Sequence, residues 1–376
     1  MDIKISFFLP SMVDGGAERV TLNLIQYLAR HYDLTLDLVL VSATGAFIDQ
    51  VPPQVNVIDL KSSRTISSLP ALISYLRKNR PDALLSGMDF VNVIALSAVK
   101  LSRVNTRTVA CLHSHYSAQL SNASAFRGRF ITPFVKVTHR WADVIVGISK
   151  GCGEEFIKAT GVGQENMRYI YNPVITDAIA PLAAEPLNHP WFSKGEPPVI
   201  LAVGRLSHAK NFQLLVDAYA IVKESHAARL IILGDGEDRP DLESRVKSLD
   251  LENDVELPGF VANPYAYMKN SAVYVLSSRY EALPTVLIEA MYCGTQLVAV
   301  DCPSGPREIL ADGKYGELVS QESTSELVEA IIRALKRKDF EQDPAACERF
   351  MDYSVADQYL DALLGESAVD LVKRSE

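Results

Sequence analysis

Residues 277–310 read SSRYEALPTVLIEAMYCGTQLVAVDCPSGPREIL, and this stretch sets the terms for the whole chain. Glu281 falls in a turn, and Pro284 suits the first turn of a helix, where its missing N–H costs nothing. Glu289 follows on that helix, which stops at Gly294. LVAV then reads as a short buried strand ending at Asp301. A turn, helix and strand in this order aim helix N-terminal amides and one carboxylate at whatever lies above a sheet edge. Free N–H groups at a helix start attract phosphate, and a carboxylate accepts hydrogen bonds from hydroxyls. The pair points to a phosphorylated, polyhydroxylated ligand such as a nucleotide sugar.

Upstream, the same alternation recurs. KISFFLP (4–10) is an apolar run ending in a turn, and GGAERVTLNLIQYLARHY follows with Val20, Leu24, Tyr27 and Leu28 on one helical stripe. LTLDLVLVS, VNVIDL, ALLSG, RTVACLHSH and ADVIVGISK read as further strands, with helical segments between several of them. Residues 172–198 contain six prolines and little periodicity, so they are expected to include an interdomain linker. Beyond them PVILAVGRL, ARLIILGDG, DVELPGFV and AVYVLSS alternate with helices again. The expected organisation is a first α/β domain at 1–180, a linker at 181–198 and a second domain at 199–350. A last amphipathic helix within 351–376 is free to pack back on the first domain. Each half reads as a doubly wound, mostly parallel sheet. Ligands in such sheets sit beyond the carboxyl ends of the strands.

A chain of 376 residues with 48% hydrophobic and 22% charged residues is an ordinary two-domain globular protein. The five cysteines are odd in number and scattered, which fits a reducing compartment better than a disulfide framework. MDIKISFFLPS reads as a strand rather than a signal peptide. The net charge of −9 is uneven, since residues 1–185 sum to +3 and residues 186–376 to −12. No acid occurs between Asp89 and Asp143, a stretch holding Lys100, Arg103, Arg107, Arg127, Arg129, Lys136 and Arg140 with three histidines. Such a face suits an anionic membrane surface or a phosphate-bearing substrate. Nucleic acid is not expected, because the acidic second half would oppose it.

Three further motifs carry chemistry. VGRLSHAKNF (203–212) places Arg205 and Lys210 after a strand, where a diphosphate can be neutralised. Gly15-Gly16 allow close backbone approach, although the G-x-G-x-x-G fingerprint is missing. LGDG (233–236) is a tight turn.

Taken together, GGAER, HSH, VGISK, NPV, VGRLSHAKNF, LGDG, PGF, E-ALPTVLI-E-AM and CPSGPREIL resemble glycosyltransferase family 4 over residues 7 to 366. The resemblance implies a GT-B type fold, with two facing Rossmann-like α/β domains and an interdomain cleft. It implies a retaining transfer of a hexose or N-acetylhexosamine from a nucleotide sugar, expected to be UDP-linked. Carried over by position, Arg205 and Lys210 bind the diphosphate and stabilise charge on the departing nucleoside diphosphate. Glu281 accepts hydrogen bonds from the sugar. Leu283, Pro284, Thr285 and Val286 form the turn whose free amides face the phosphates, Glu289 takes the ribose, and Phe260 lies where the base is held. Gly16 approaches the donor phosphates, and His113 lines the sugar near the reacting carbon, with His115 as the competing choice. Ser149 and Asn172 are expected to shape loops.

The implied chemistry needs no metal and no cofactor, and the chain carries no D-x-D motif. A front-face reaction, with the leaving phosphate helping to deprotonate the acceptor, is the expected route. CPSGPREIL resembles members that build bacterial surface polysaccharides, often on a polyprenyl-diphosphate lipid. That implies a glycan or lipid-linked acceptor and a cytoplasmic protein peripheral to the inner face of the cell membrane. Two alternatives stand beside this reading. A non-hydrolysing sugar-nucleotide epimerase shares the architecture but would need carboxylates near the first domain's ligand. A sugar-nucleotide-binding protein without turnover would not need Glu281, Arg205 and Lys210 together.

Overall fold

The apolar runs at 5–9, 36–40, 83–85, 109–112 and 144–146 are buried throughout, as strands covered by helices on both faces must be. In the computed structural model, which describes residues 3–13, 15–117, 125–162, 164–321, 323–337, 340–365 and 372–374, they form a seven-stranded parallel sheet. Its strands are β1 (Lys4–Leu9), β2 (Thr35–Leu40), β3 (Asn56–Asp59), β4 (Ala83–Gly87), β5 (Arg107–Leu112), β6 (Val144–Gly147) and β7 (Met167–Tyr169). Their spatial order is β3-β2-β1-β4-β5-β6-β7. A second parallel sheet contains β8 (Val199–Val203), β9 (Arg229–Leu233), β10 (Val255–Gly259), β11 (Val273–Leu276), β12 (Gln296–Val300) and β13 (Glu317–Val319), ordered β10-β9-β8-β11-β12-β13. The chain divides into two units, Met1–Val174 with Arg349–Glu376, and Ile175–Glu348.

The strand order reverses between β1 and β4 in the first sheet and between β8 and β11 in the second. At such a reversal the helices after the two central strands leave toward opposite faces. A crevice opens there at the carboxyl edge. The topology therefore selects four loops, those after β1, β4, β8 and β11, as the ligand-facing ones.

Helix α1 (Gly16–His31) buries Val20, Leu24, Ile25 and Leu28 against the first sheet. The same core takes in Val355, Tyr359, Leu360 and Leu363 from a helix spanning Asp352–Leu364. That helix is pinned by Arg107 Nε donating to the Ala362 carbonyl at 2.8 Å and by Arg168 against Asp361 at 3.4 Å. In the second unit Phe212, Leu215, Val216, Tyr219 and Val222 form the buried stripe of the helix Phe212–Ser225. Truncating a buried leucine in either stripe to alanine would cost roughly 2–5 kcal/mol.

The expected linker at 181–198 is not one. Its residues lie within the second unit, where the short helix Ile179–Ala183 packs against Pro264–Asn270. Asn263 Nδ2 donates to the Leu182 carbonyl at 2.8 Å. His189 sits 3.0 Å from Glu256 and edge-on to Trp191, Phe192 and Tyr267. Prolines break the periodicity that signals a helix or strand, but they also stiffen a coil that aromatic side chains can anchor. The chain passes from one unit to the other at Val174/Ile175 and back at Glu348/Arg349. Among the described residues no helix is long and apolar enough to cross a membrane.

Candidate active site

Strand β8 ends at Val203, and Gly204 turns the chain at φ +156° into the loop that carries Arg205 and Lys210. That loop lies directly on the one after β9. The Gly204 amide donates to the Leu233 carbonyl at 2.9 Å, Leu206 to Asp235 at 2.9 Å, and Asp238 back to Leu206 at 3.0 Å. A Cβ on Gly234 would fall on the Gly204 carbonyl oxygen, and one on Gly236 on the Leu206 carbonyl oxygen. The LGDG turn is thus the bed on which the 204–211 loop rests.

The loop after β11 meets this loop across the switch point. Lys210 Nζ donates to Glu281 Oε1 at 2.6 Å, and Ser278 Oγ donates to the same oxygen at 2.6 Å. Ser277 Oγ donates to the Lys210 carbonyl at 2.8 Å, the Arg279 amide to Ala209 at 2.8 Å, and the Arg279 guanidinium to Asn211 Oδ1 at 2.9 Å. The Lys210 and Glu281 side chains are 22% and 12% exposed, so the pair is held at the rim rather than in open solvent. Glu281 Oε2 carries no hydrogen bond among the described residues.

Beneath both glutamates lies Tyr274 of β11, fully buried, with its hydroxyl 3.4 Å from the Val203 carbonyl. Burial, then the Glu289 and Glu281 carboxylates, keep that phenol protonated well above its usual range. Glu289 is half-buried on the helix Thr285–Tyr292. Pro284 is the cap of this helix rather than its first residue. Leu283 and Pro284 are buried, while Thr285 and Val286 are partly exposed. Gly305, at φ +93°, backs the turn: a Cβ there would stand 2.5 Å from Pro284 Cδ and 3.3 Å from Leu283 Cα. The CPSG segment thereby sets the height of the turn, helped by the Glu281 amide donating to Pro303 at 3.3 Å.

Other expected residues lie apart from this cluster. Arg205 is 75% exposed and pairs with Glu237 at 3.0 Å, not with Lys210 or Glu281. Phe260 is 71% exposed after the Gly259 turn. A cavity of about 210 Å³ lined by Ser207, His208, Gln213, Asp241 and Arg279 contains none of the expected site residues.

In the first unit the two glycines after β1 differ. Gly15 caps α1 and is pressed by the Glu18 carboxylate, which is 7% exposed, whereas a Cβ on Gly16 would meet nothing within 4 Å. The close-approach position is therefore Gly16. His113, just past β5, lays its ring on Gly87 at the end of β4, with Nε2 2.9 Å from where a Cβ would stand. Both His113 ring nitrogens are buried with no hydrogen-bond partner among the described residues, and burial pushes the imidazole pKa down to about 4. The ring is neutral at pH 7. Asn172, 3% exposed, lines the same crevice, with its Oδ1 also unpartnered among the described residues. Ser149, by contrast, caps a helix and accepts from the Cys152 amide.

His115 likewise has a buried Nδ1 with no hydrogen-bond partner among the described residues. Its Nδ1 lies 3.9 Å from Glu155, whose carboxylate accepts from the Tyr116 and Ser117 amides at 3.0 Å each. The stretch between Asp89 and Asp143 lacks acids in sequence but has the Glu155 carboxylate against it in space. Glu155, Ser278, Tyr274 and Gly87 are the residues that sequence reading missed. Arg127 and Arg129 lie on a helix whose first residues have no described side chains.

Two parallel α/β units, the second of which joins a lysine, a glutamate and a helix cap at its switch point, make up the GT-B fold. Residues 14–178 match the family described as Glycosyltransferase Family 4, and residues 186–349 match Glycosyl transferases group 1. The amylovoran biosynthesis glycosyltransferase AmsD of Erwinia amylovora is 31% identical over 354 residues, covering 90% of this chain and 92% of that one. A Campylobacter jejuni N-acetylgalactosaminyltransferase, named for a diphospho-undecaprenol-linked acceptor, is 28% identical over 89% of this chain and 90% of its own. Among solved structures, the lipopolysaccharide outer core galactosyltransferase WaaB superposes with a TM-score of 0.74 at 22% identity, covering 96% and 99% of the two chains. Anabaena HepE in complex with UDP superposes at 0.75, also with 22% identity and the same coverage. The chain belongs to the family 4 type of glycosyltransferases, among relatives that build bacterial surface polysaccharides.

Proposed function

We propose that this glycosyltransferase moves a hexose or N-acetylhexosamine from a UDP-sugar to a lipid-linked glycan acceptor with retention of configuration. The observation that carries the reading is the Lys210–Glu281 pair at the β8/β11 switch point, with Oε2 of Glu281 unbonded among the described residues. Lys210 neutralises the donor diphosphate, and Arg205, exposed enough to leave Glu237, swings to join it. Glu281 keeps one oxygen on Lys210 and offers the other to a sugar hydroxyl. Glu289 takes the ribose, the 283–286 turn faces the phosphates, and Phe260 covers the base. Gly16 admits the phosphates closely, and neutral His113 hydrogen-bonds the transferred sugar.

In the reaction the bond from the anomeric carbon to the diphosphate oxygen breaks, and the acceptor oxygen bonds that carbon on the same face. The acceptor's proton passes to the departing phosphate. Charge building on that phosphate is what Lys210 and Arg205 stabilise. No metal or other cofactor is assigned a part. A lipid-linked acceptor places the enzyme at the cytoplasmic face of a membrane, a location supported by the relatives' acceptors and by the basic first unit.

The test is incubation with a panel of UDP- and GDP-sugars, following nucleotide release with and without a polyprenyl-diphosphate-linked glycan. Acceptor-dependent UDP release with the α-anomer retained is expected. Failure of every nucleotide sugar to bind or to release nucleotide would sink the reading. Interconversion of the donor sugar without acceptor would favour an epimerase, and binding without either reaction a non-catalytic binder.

A further inference from the structure

The first unit carries a surface that the transfer chemistry does not use. The helix Ala125–Thr138 and the turn after it bury Val135, Thr138 and His139, and expose Phe134, Lys136, Val137, Arg140 and Trp141. Beside them, the last turn of Asp89–Ser102 exposes Lys100, Leu101 and Arg103. The four apolar side chains are far from marginal: Phe134 is 64% exposed, Leu101 54%, Val137 50% and Trp141 41%. Lys100 Nζ lies 5.9 Å from the Trp141 ring centre. Single exposed apolar residues are commonplace, but four on packed neighbouring elements, interleaved with cations, form a patch.

Lys100, Arg103, Asn105, Thr108, Arg140 and Trp141 also line a depression of about 680 Å³. The carboxylate of Asp143, two residues from Trp141, is occupied by the Thr108 amide and hydroxyl. Among the described residues no carboxylate lines the depression. Thr108 is the second residue of β5 and Trp141 precedes β6, so the patch occupies the amino-terminal edge of the sheet. His113 stands five residues further along the chain at the carboxyl edge, about 16 Å away at ~3.3 Å per strand residue. The patch is distinct from the switch-point crevice.

We propose that this edge docks the enzyme on an anionic phospholipid bilayer. Phe134, Val137, Leu101 and Trp141 enter the headgroup boundary, Lys136 faces the surface, and Lys100, Arg103 and Arg140 hold lipid phosphates in the depression. Amphipathic surfaces of this kind, basic with aromatic tips, lie in the interface plane rather than crossing it. Charge complementarity selects the occupant, because a chain of net charge −9 that concentrates cations with apolar tips on one edge is suited to a negatively charged apolar boundary. Nucleic acid would gain nothing from Phe134 or Val137. The docking rests on the lipid-linked acceptor reading for its purpose, but its test involves no sugar.

The experiment is sedimentation of the full chain with phosphatidylcholine vesicles and with vesicles of equal parts phosphatidylcholine and phosphatidylglycerol. Capture by the anionic vesicles alone, reversed at high salt, is expected. Lys100→Glu with Arg140→Glu should weaken capture by on the order of tenfold or more, since each cation near such a surface matters several-fold. Phe134→Ser with Trp141→Ser should weaken it at every salt concentration. Lys336→Glu in the second unit should change nothing. The unfolding midpoint, and its shift by UDP, report whether each variant is folded and whether the nucleotide reading holds independently. Equal capture by both vesicle types, or wild-type capture of the charge-reversed variant, would overturn the proposal. Full release by inorganic diphosphate at constant ionic strength would overturn it too, in favour of a soluble phosphate ligand.

Discussion

Lys210 Nζ and Glu281 Oε1 are 2.6 Å apart although 71 residues separate them in the chain. The contact exists because β8 and β11 are neighbours in space and their following helices diverge. Replacing Lys210 by alanine leaves Glu281, 12% exposed, with Ser278 as its remaining partner. Turnover should fall on the order of 10²–10³-fold if the lysine meets charge developing on the phosphate. The fold should lose only roughly 1–3 kcal/mol. Single-turnover kinetics beside denaturant melts separate the two effects, and near-normal turnover would remove the phosphate role.

Arg205 offers the complementary case. Its ion pair with Glu237 is solvent-exposed on both sides, and such pairs contribute about 0–1 kcal/mol. Arg205→Ala should therefore leave the melting curve almost unchanged while weakening donor use by an order of magnitude or more, roughly the value of a charge-assisted bond. Unaltered kinetics would restrict Arg205 to the surface.

Gly305→Ala tests the mechanical link between CPSG and the donor turn. The new methyl group meets Pro284 Cδ at 2.5 Å, and the backbone is held at φ +93°. Strain of about 1–3 kcal/mol is expected, together with weaker nucleotide binding by titration, because the 282–286 turn must move. A stable variant that binds nucleotide as before would show that the turn is not set by this glycine.

His113 makes a pH prediction. Its folded pKa of about 4 lies below the unfolded value near 6.5, so the unfolded chain binds its proton first as pH falls. Stability from this group is whole above about pH 6.5 and is lost progressively toward pH 4. His139, with its pKa also pushed down to about 4, contributes in the same direction. His113→Phe should flatten the slope of stability against pH by close to half of what the two histidines supply. An unchanged slope between pH 6.5 and 4 would mean that the ring is not buried as described.

Glu155→Ala removes the acceptor for two backbone amides and the neighbour of His115. A loss of roughly 1–3 kcal/mol is expected, with lower turnover because the loop carrying His113 loosens. Partial rescue of turnover by Glu155→Gln, which can still accept hydrogen bonds, would distinguish positioning from charge.

Both sheets were legible because buried parallel strands are unbroken apolar runs, VILAV and LIIL among them. Glu281 and Lys210 were legible because each lies in the loop that follows such a run. The contact between them was not, since spatial adjacency of β8 and β11 is a property of strand order, which apolar runs do not encode. Glu155 carries no signal of its own in the sequence; its partners come from a loop 38 and 39 residues earlier. The proline-rich stretch was misread because prolines mark the absence of periodic structure and say nothing about packing. His189 and Trp191, wedged against Glu256 and Arg229, were the aromatic signal that could have corrected it.

The helix Asp352–Leu364 closes the core of the first unit, yet it is encoded after the whole of the second. On the ribosome, the segment 175–348 is a complete folding unit before the first unit has received its last core helix. The amino-terminal half must wait with Leu24 and Leu28 lacking part of their cover, against the usual order in which the first domain made is the first finished. A chain truncated after residue 348 should then show a protease-resistant second unit and a still-sensitive first.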